Sequence, residues 1–223
     1  MNNYVETTLY LIRHGETVWN FEERFQGHGD SPLTGTGRAQ ARAAGERLKS
    51  VPLDMMVCSD LGRTRETAGL IAEKAGFAGE ILTDNRIRER NYGILEGLRL
   101  PDIRQRHSDV FDHIRDGDPD FVVPGGESHR QHFDRNILFL EEFVDRNNGV
   151  TAAMVIHGGV LDSFFRYVAG MSLRQPRCFI SNNACINIFV HGMFYGSQRW
   201  VIESWGDVSH LDGLLSKSFV PKE

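Results

Sequence analysis

The sequence predicts an α/β fold with a largely parallel sheet. Short apolar runs that fit buried strands alternate with longer segments whose apolar residues recur at helical spacing. Glycines and hydroxyl residues that can end or cap helices separate the two kinds of segment. The length of 223 residues fits one domain with an elaborated loop region, so we expect a single domain over residues 1–223.

The first half of the chain contains three predicted strands and two predicted helices. Ala41, Ala44 and Leu48 fall on one helical face after Thr34, whose hydroxyl can cap that helix. Gly76 is placed to end the second helix. In chain order we predict a strand at Thr7–Arg13, a helix ending near Leu48, a strand at Met55–Cys58, a helix over residues 61–75 and a strand at Ile81–Thr83.

The second half begins its regular alternation with the clearest helix. Phe133, Ile137, Leu140 and Val144 form one apolar face, which predicts an amphipathic helix over residues 131–146. We then predict a strand over residues 152–156, a helix containing Leu161, Phe164, Phe165 and Val168, and strands over 186–190 and 199–202 joined by a turn around 192–196. The tail from Leu215 is expected to be loose.

Residues 97–126 interrupt this alternation. The segment mixes arginines and aspartates with isolated apolar residues such as Ile103, Phe111 and Ile114. A long insertion in a compact domain often covers a functional site, which predicts a small helical cap here. A solvated connector is the alternative interpretation.

The bulk composition narrows the classes of function. The formal net charge is −5 and the basic residues are scattered, which argues against a nucleic-acid or anionic-membrane surface. The three cysteines lack a Cys-x-x-Cys spacing and fit a reducing compartment. The N-terminal residues lack the order of a signal peptide, and no apolar run approaches the roughly 20 residues of a membrane span. We therefore expect a cytoplasmic protein.

Two predicted strands end in the same chemistry. Arg13, His14 and Gly15 follow the first strand, and His157 and Gly158 follow the strand over residues 152–156. In open α/β sheets the ligand crevice lies beyond the carboxyl ends of the strands. A cation, a titratable imidazole and a residue without a side chain at that edge suit an anion such as phosphate. The sequence therefore predicts a site built on a pair of imidazoles.

The charge of a phosphate ester specifies what else the site needs. A monoester carries close to two negative charges, so its site must supply cations and N–H donors. Arg63 falls in the first turn of a helix that follows a strand, where the helix dipole adds to its charge. Gly158 opens another helix after His157, so the amides of a second helix end are expected nearby.

Histidine and glutamate side chains supply the candidate reactive groups. A neutral imidazole is available near pH 7 and can form a covalent intermediate. A proton must also reach the leaving oxygen, and Glu89 is the candidate donor. Glu16 and Glu66 are the alternatives, although each could instead orient a histidine or pair with an arginine.

Metal binding is an alternative use of the histidines. A pair of strand-end imidazoles can bind a metal, but no third ligand is placed beside either one. His129 and His132 are three residues apart near a helix start and could bind zinc. A solvated helix face is the simpler interpretation of that pair.

Three further features of the sequence have no predicted role in catalysis. Residues 35–37 (GTG) suggest dinucleotide binding, but Gln40 stands where the third glycine belongs and no strand precedes them. Trp19 and Phe21 are expected to be packing residues. No role is predicted for His210.

Seven segments resemble motifs of the histidine phosphatase superfamily, the group that includes cofactor-dependent phosphoglycerate mutase. Residues 13–20 (RHGETVWN) resemble its signature around the phosphorylated histidine, and residues 88–97 (RERNYGILEG) resemble its acid motif. The other similar segments are residues 24–34 (RFQGHGDSPLT), 59–68 (SDLGRTRETA), 124–128 (PGGES), 155–159 (VIHGG) and 206–211 (GDVSHL). The resemblance spans nearly the whole chain.

This resemblance implies a fold and a set of roles. The implied fold is a three-layer α/β/α sandwich with a mixed, mostly parallel sheet and a small helical insertion over the site. His14 would be the nucleophile and Glu89 the proton donor, with no metal and no cofactor required. The implied phosphate-binding residues are Arg13, Asn20, Gln26, Gly27, Arg63, His157 and Gly158.

The substrate class implied is a small phosphorylated metabolite, and the reaction is either hydrolysis or mutase transfer. Mutases of the family carry extra basic residues in the insertion, whereas this insertion has no paired arginines and is made acidic by the aspartates at positions 109, 112, 116, 118 and 120. We therefore expect a phosphatase. The alternatives are a phosphoglycerate mutase that depends on bisphosphoglycerate and a phospho-ligand-binding protein without turnover. The sequence does not fix the oligomeric state, and a homodimer is compatible with it.

Overall fold

The computed structural model describes residues 5–216, which form six strands and seven α-helices. The strands are β1 (Thr7–Arg13), β2 (Met55–Cys58), β3 (Ile81–Thr83), β4 (Thr151–Ile156), β5 (Ile186–Phe194) and β6 (Ser197–Asp207). The helices are α1 (Val18–Phe21), α2 (Gly35–Leu48), α3 (Gly62–Ala75), α4 (Leu100–Arg106), α5 (Ser108–Arg115), α6 (His129–Arg146) and α7 (Gly158–Ala169). None of these helices has the length and apolar character that crossing a bilayer requires.

The strands form one mixed sheet in the order β3-β2-β4-β1-β5-β6. The first four strands in this order pair in parallel, whereas β5 pairs antiparallel with both β1 and β6. The prediction of a mixed, mostly parallel sheet is therefore confirmed. The last two strands make a hairpin at one edge, which needs no crossover helix.

Helices cover both faces of the sheet. Along β4, Ala152, Met154 and Ile156 pack with residues of α6 and α7 in one core cluster, while Ala153 and Val155 pack with residues of α2 and α3 in another. Successive side chains of a strand point to opposite faces, so an unbroken apolar run is what a strand buried on both sides requires. The three-layer sandwich is confirmed.

The register of the two central strands sets the position of the site. In the parallel β1–β4 pair, Arg13 lies opposite Ile156. The backbone N–H of His14 then donates to the carbonyl of Ile156 at 3.0 Å. Because both chains leave the sheet at this edge, His14 and His157 emerge side by side.

The segment over residues 97–126 contains α4 and α5 and has a small core of its own. Leu95, Ile103, Val110 and Val123 are buried together, and Phe25 and Tyr92 pack against them. The predicted small helical insertion is confirmed. Its aspartates form ion pairs with Arg115, Arg130 and Arg174, which account for the charges at positions 112, 116, 118 and 120.

Several predicted boundaries differ from the structure. The turn of the β5–β6 hairpin is narrower than residues 192–196, because Gly192 pairs with Arg199 and only Tyr195 and Gly196 take positive φ values, of 51° and 81°. Both late strands are accordingly longer than predicted. Helix α6 begins at His129 because Ser128 caps it through the N–H of Gln131.

Two further predictions concern Phe21 and the C-terminal tail. Phe21 was expected to be a packing residue, and this is wrong because 75% of it is exposed at the end of α1. The tail from Leu215 is predicted to be loose, and its residues from position 217 onward lie outside the described part of the chain.

Candidate active site

His14 and His157 lie against each other at the carboxyl edge of the sheet. Their ring centroids are 5.2 Å apart with an interplanar angle of 62°. Both side chains are buried, at 2% and 0% exposure. The structure therefore brings together the two imidazoles that the sequence places at separate strand ends.

One nitrogen of the His14 ring is free to act as a nucleophile. Its Nδ1 lies 2.8 Å from the carbonyl oxygen of Gly15, and a carbonyl only accepts, so Nδ1 carries the proton. The lone pair of the neutral ring is then on Nε2. Burial, assisted by the charges of Arg63 and Arg13, holds the pKa of His14 well below its ordinary value of 6.5. The ring is therefore neutral and nucleophilic near pH 7.

Two arginines flank this pair of rings, Arg63 fully buried and Arg13 half-buried. Arg63, in the first turn of α3, donates from its Nη atoms to the carbonyls of Gly27 and Gly29 at 2.7 and 2.9 Å. Arg13 donates from Nη1 to the carbonyl of Ser181 at 2.6 Å. The Nε–H of each arginine is buried, and no described residue accepts a hydrogen bond from it. Both guanidinium groups thus keep a donor for an anionic ligand.

His157 is placed at the start of α7 and is the N-cap residue of that helix. Within residues 5–216 neither of its ring nitrogens has a hydrogen-bond partner. Burial, then the charge of Arg63, holds the pKa of His157 well below 6.5. A β-carbon on Gly158 would lie 3.6 Å from Nε of Arg13, so the beginning of α7 adjoins the arginine directly.

Glu89 faces the same site from the loop before the insertion. Its Oε1 accepts from the N–H of Arg90 at 2.9 Å, and its Oε2 accepts from the N–H of Gly159 at 3.1 Å. Burial lowers the pKa of Arg13 and of Arg63, and the negative charge of Glu89 opposes that shift in both. One of the α7 amides expected to face phosphate is therefore occupied by this carboxylate.

The two rival carboxylates are engaged elsewhere. Oε1 of Glu16 accepts from the hydroxyl of Thr34 at 2.6 Å. Glu66 forms an ion pair with Arg38 at 2.6 Å on a partly exposed surface. Of the three candidates, Glu89 is the one whose charge reaches both arginines of the site.

Gly159 leaves room for the carboxylate of Glu89, which leads to a prediction. A β-carbon at position 159 would lie 2.1 Å from Oε1 of Glu89, so Gly159→Ala must displace that side chain. We expect kcat to fall about tenfold or more while the helix gains intrinsic stability. Gly69→Ala is the matched control, because its β-carbon would meet nothing within 4 Å in α3. A Gly159→Ala enzyme with the kcat of the control would contradict this placement of Glu89.

Two of the predicted phosphate ligands, Gln26 and Gly27, lie in the loop over residues 26–29. Gln26 is buried, and its Oε1 accepts no hydrogen bond from the residues described here. Gly27 has a φ of 58°, and a β-carbon there would lie 2.1 Å from Oε1 of Glu96. Glu96 accepts from the N–H groups of His28 and Gly29 at 2.8 and 2.7 Å. Glu96, which sequence reasoning left without a role, therefore anchors the loop that holds Arg63.

Asn20 lies at the third position of α1. It completes a capping box with Thr17, in which Oδ1 of Asn20 accepts from the N–H of Thr17 at 3.2 Å. Its Oδ1 also accepts from Asn183 at 3.1 Å. The structure thus connects this predicted phosphate ligand to a residue of the loop before β5.

The interpretation of His129 and His132 as a solvated pair is wrong for His132. That ring is 1% exposed, and Nδ2 of Asn136 lies 3.1 Å from its Nε2. Its Nε2 is also 3.9 Å from Oε1 of Glu89. Nε2 of His129 instead lies 3.5 Å from Oδ2 of Asp162. Within residues 5–216, no three or more histidine, cysteine, aspartate or glutamate side chains are grouped so that they could hold a metal ion.

His210 and the GTG segment have structural explanations. Nε2 of His210 donates to the carbonyl of Ala184 at 3.0 Å. Ala184, whose φ is 55°, in turn donates from its N–H to the carbonyl of Arg13 at 3.0 Å. Residues 35–37 begin α2, where the Thr34 hydroxyl accepts from the N–H of Gly37.

The buried histidines predict how stability depends on pH. Burial is the main cause that lowers the pKa of His14, His132 and His157 well below 6.5. Below about pH 6.5 the unfolded chain therefore binds more protons than the folded chain. Each such histidine lowers the free energy of unfolding by about 1.4 kcal/mol for each unit by which the pH falls. We expect the free energy of unfolding in urea to fall steadily between about pH 6.5 and pH 5.

A variant separates this effect from other titrations. His132→Leu removes one of the three histidines. For each unit by which the pH falls, the free energy of unfolding of this variant should therefore decrease by about 1.4 kcal/mol less than that of the wild-type protein. A free energy of unfolding that stays constant or rises as the pH falls through this window would contradict the prediction.

The family comparison covers almost the entire described chain. A family model described as the histidine phosphatase superfamily (branch 1) matches residues 9–208. A probable phosphoglycerate mutase, GpmB of Salmonella choleraesuis, is 36% identical over 205 residues, which cover 92% of this chain and 94% of that protein.

Solved structures have the same architecture. YhfR from Bacillus stearothermophilus is 35% identical with a TM-score of 0.79, over 92% of this chain and 99% of that one. A mycobacterial glucosyl-3-phosphoglycerate phosphatase is 27% identical with a TM-score of 0.78, over 90% and 99% of the two chains. Together with the match over residues 9–208, these findings show that the chain belongs to the histidine phosphatase superfamily.

Proposed function

We propose that this protein is a phosphomonoester hydrolase that acts on a small phosphorylated metabolite through a phosphohistidine on His14. The observation that carries the proposal is the neutral His14 ring beside His157, between two arginines that keep a free donor each. Such an arrangement provides a nucleophile and positive charge for the transferring phosphoryl group.

The first half of the reaction transfers the phosphoryl group to the protein. Arg13, Arg63 and His157 hold its oxygens, and Nε2 of His14 forms a bond to phosphorus. The bond from phosphorus to the ester oxygen breaks, and Glu89 gives its proton to that oxygen. Uncatalysed monoester hydrolysis is so slow that enhancements of order 10²¹ occur, so charge stabilisation must supply most of the rate.

The second half returns the site to its starting state. The Glu89 carboxylate accepts a proton from water as the water oxygen attacks phosphorus. The bond to His14 Nε2 breaks, and inorganic phosphate leaves. These steps use only the side chains of the site and water, so we propose that no metal or cofactor is needed.

The insertion favours hydrolysis over mutase transfer. Its aspartates and single arginines supply no pair of cations for the second phosphate of a bisphosphoglycerate. A phosphatase that acts on glucosyl-3-phosphoglycerate has the same fold at 27% identity. The alternative, a phosphoglycerate mutase, is favoured by the 36% identity to a probable mutase.

Phosphate release from a panel of phosphate esters, with and without 2,3-bisphosphoglycerate, tests the proposal. We expect release from at least one small ester, unchanged by the added bisphosphoglycerate. Exchange of phosphoglycerate isomers that requires bisphosphoglycerate, without net release, would establish the mutase instead. Binding of esters without any turnover would establish a non-catalytic binding protein.

The insertion should determine substrate preference. Val110→Ala leaves a cavity in the small core that packs on Tyr92, at a cost of about 2 kcal/mol within the insertion. We expect the ratios of kcat/KM between natural esters to change by about fivefold or more, while turnover of p-nitrophenyl phosphate changes less than about twofold. Val144→Ala, in the main core, is the control. Equal losses on all substrates would contradict a role in preference.

A further inference from the structure

Residues 181–184, in the loop that leads into β5, contact three parts of the proposed phosphate site. The carbonyl of Ser181 accepts from Nη1 of Arg13, and the N–H of Ala184 donates to the carbonyl of Arg13. Between them, Asn183 donates from Nδ2 to the carbonyl of His14 at 3.0 Å and to Oδ1 of Asn20 at 3.1 Å. The sequence motifs singled out no residue of this segment before Cys185.

We propose that Asn183 is a positioning residue that orients the amide of Asn20 so that its NH2 group faces the phosphate. The inference rests on the proposed phosphate site and deepens it. The NH2 group of Asn183 is occupied by the carbonyl of His14 and by Oδ1 of Asn20, so we assign it an indirect role through Asn20.

The orientation of both amides follows from groups whose chemistry is unambiguous. The backbone N–H of Thr17 can only donate, so the atom of Asn20 that it contacts is the oxygen. The backbone carbonyl of His14 can only accept, so the atom of Asn183 that contacts it is the NH2 nitrogen. The contact between the two side chains is then a donor from Asn183 to an acceptor on Asn20.

Two donors on Oδ1 leave the other end of the Asn20 amide for a ligand. An amide is planar, so its NH2 group points away from the side on which Thr17 and Asn183 converge. Asn183 is 6% exposed, which keeps water from competing for this contact. With one of the donors gone, the amide is held by the capping-box contact alone and can turn its oxygen towards the phosphate.

The structure supplies a matched control four residues along the chain. Asn187 on β5 is fully buried. Its Nδ2 donates to the carbonyl of Leu11 at 3.1 Å and to the Sγ of Cys185 at 3.5 Å, and its Oδ1 accepts from the N–H of Gly206 at 2.7 Å. Asn187→Ala therefore removes a buried asparagine close by in the chain without touching Asn20.

Calorimetric titration of the full-length protein with inorganic phosphate and with orthovanadate tests the proposal. We expect Asn183→Ala to weaken binding about tenfold and Asn183→Asp about a hundredfold, because the aspartate presents an acceptor to two carbonyl-type oxygens. Asn187→Ala should lower the melting temperature and leave both affinities within about twofold. Asn183→Ser replaces Asn183→Ala if the alanine variant does not fold.

A double-mutant cycle identifies the route of the effect. If Asn183 acts through Asn20, the Asn20→Ala/Asn183→Ala protein should bind phosphate no more weakly than Asn20→Ala alone, within about twofold. Fully additive losses would overturn the proposal, as would an Asn183→Ala protein with wild-type affinity.

The two proposals can fail separately. A wild-type protein that binds phosphate but hydrolyses no ester would refute the proposed hydrolysis. The phosphate affinities of the Asn183 variants would still decide the positioning role. Normal hydrolysis with unchanged phosphate affinity in both Asn183 variants would overturn the positioning role alone.

Discussion

Replacing His14 with alanine is expected to abolish turnover while the fold survives. Among residues 5–216, the His14 side chain forms one hydrogen bond, to the carbonyl of Gly15, so its loss disturbs little else. Removing the nucleophile of a covalent mechanism typically costs about 10⁴-fold or more in kcat. Steady-state hydrolysis of p-nitrophenyl phosphate measures the effect, with circular dichroism to confirm folding. A variant with a tenth of wild-type activity would show that another group attacks phosphorus.

A second histidine variant controls for the loss of an imidazole. His191 lies opposite Thr7 in the β1–β5 pair, at the far end of the strand that delivers His14. His191→Ala should keep wild-type turnover, because its ring packs against Trp200, with 4.9 Å between the centroids, and is remote from the phosphate site.

Trapping the intermediate identifies the atom that is modified. Wild-type protein quenched during turnover of a labelled ester should carry an acid-labile, alkali-stable phosphoryl label on residue 14. The label should be absent from His14→Ala. A label of the same stability on His157 instead would reverse the roles of the two rings.

The central part of the fold and of the site could be predicted from the sequence because its signals are local. The run at Thr7–Arg13 is apolar on both faces, which is what a strand buried between two helical layers requires. Parallel strands end at the same edge, so two His-Gly steps at strand ends predict neighbouring imidazoles. The 5.2 Å separation of His14 and His157 is the result of that register.

The supporting contacts could not be predicted because they join segments far apart in the chain. Asn183 contacts His14 and Asn20 across more than 160 positions, and nothing in its own neighbourhood indicates that contact. His132 follows a helical pattern that is equally compatible with a solvated face. Its burial is decided by Asn136, which joins it to Ser163 on the neighbouring helix. Tertiary packing, rather than local pattern, fixes these residues.

The hairpin boundary illustrates the same limit at the level of secondary structure. Gly192 indicated a turn, yet β5 continues to Phe194, where Tyr195 and Gly196 provide the positive φ values of a tight hairpin. Glycine within a strand and glycine in a turn have the same sequence signal. The pairing partner, Arg199, distinguishes them.

Glu89→Gln is expected to slow the reaction according to how badly the leaving group needs a proton. General acid catalysis typically contributes about 10²–10⁴-fold, so kcat on an alkyl phosphate should fall by about 10³-fold. p-Nitrophenolate leaves as a stable anion, so turnover of p-nitrophenyl phosphate should fall by no more than about tenfold. The comparison uses one variant and two substrates, which makes it insensitive to the fraction of folded protein.

The geometry explains why this leaving-group dependence is diagnostic of Glu89. Its carboxylate is held by the N–H groups of Arg90 and Gly159, and an amide in its place would turn an NH2 group towards one of these donors. That disturbance alone would lower turnover on both substrates equally. A Glu89→Gln enzyme that loses the same factor on alkyl and aryl phosphates would therefore assign Glu89 to positioning and leave the proton donor elsewhere. The Gly159→Ala enzyme, which displaces the same carboxylate, should repeat the unequal losses at smaller amplitude.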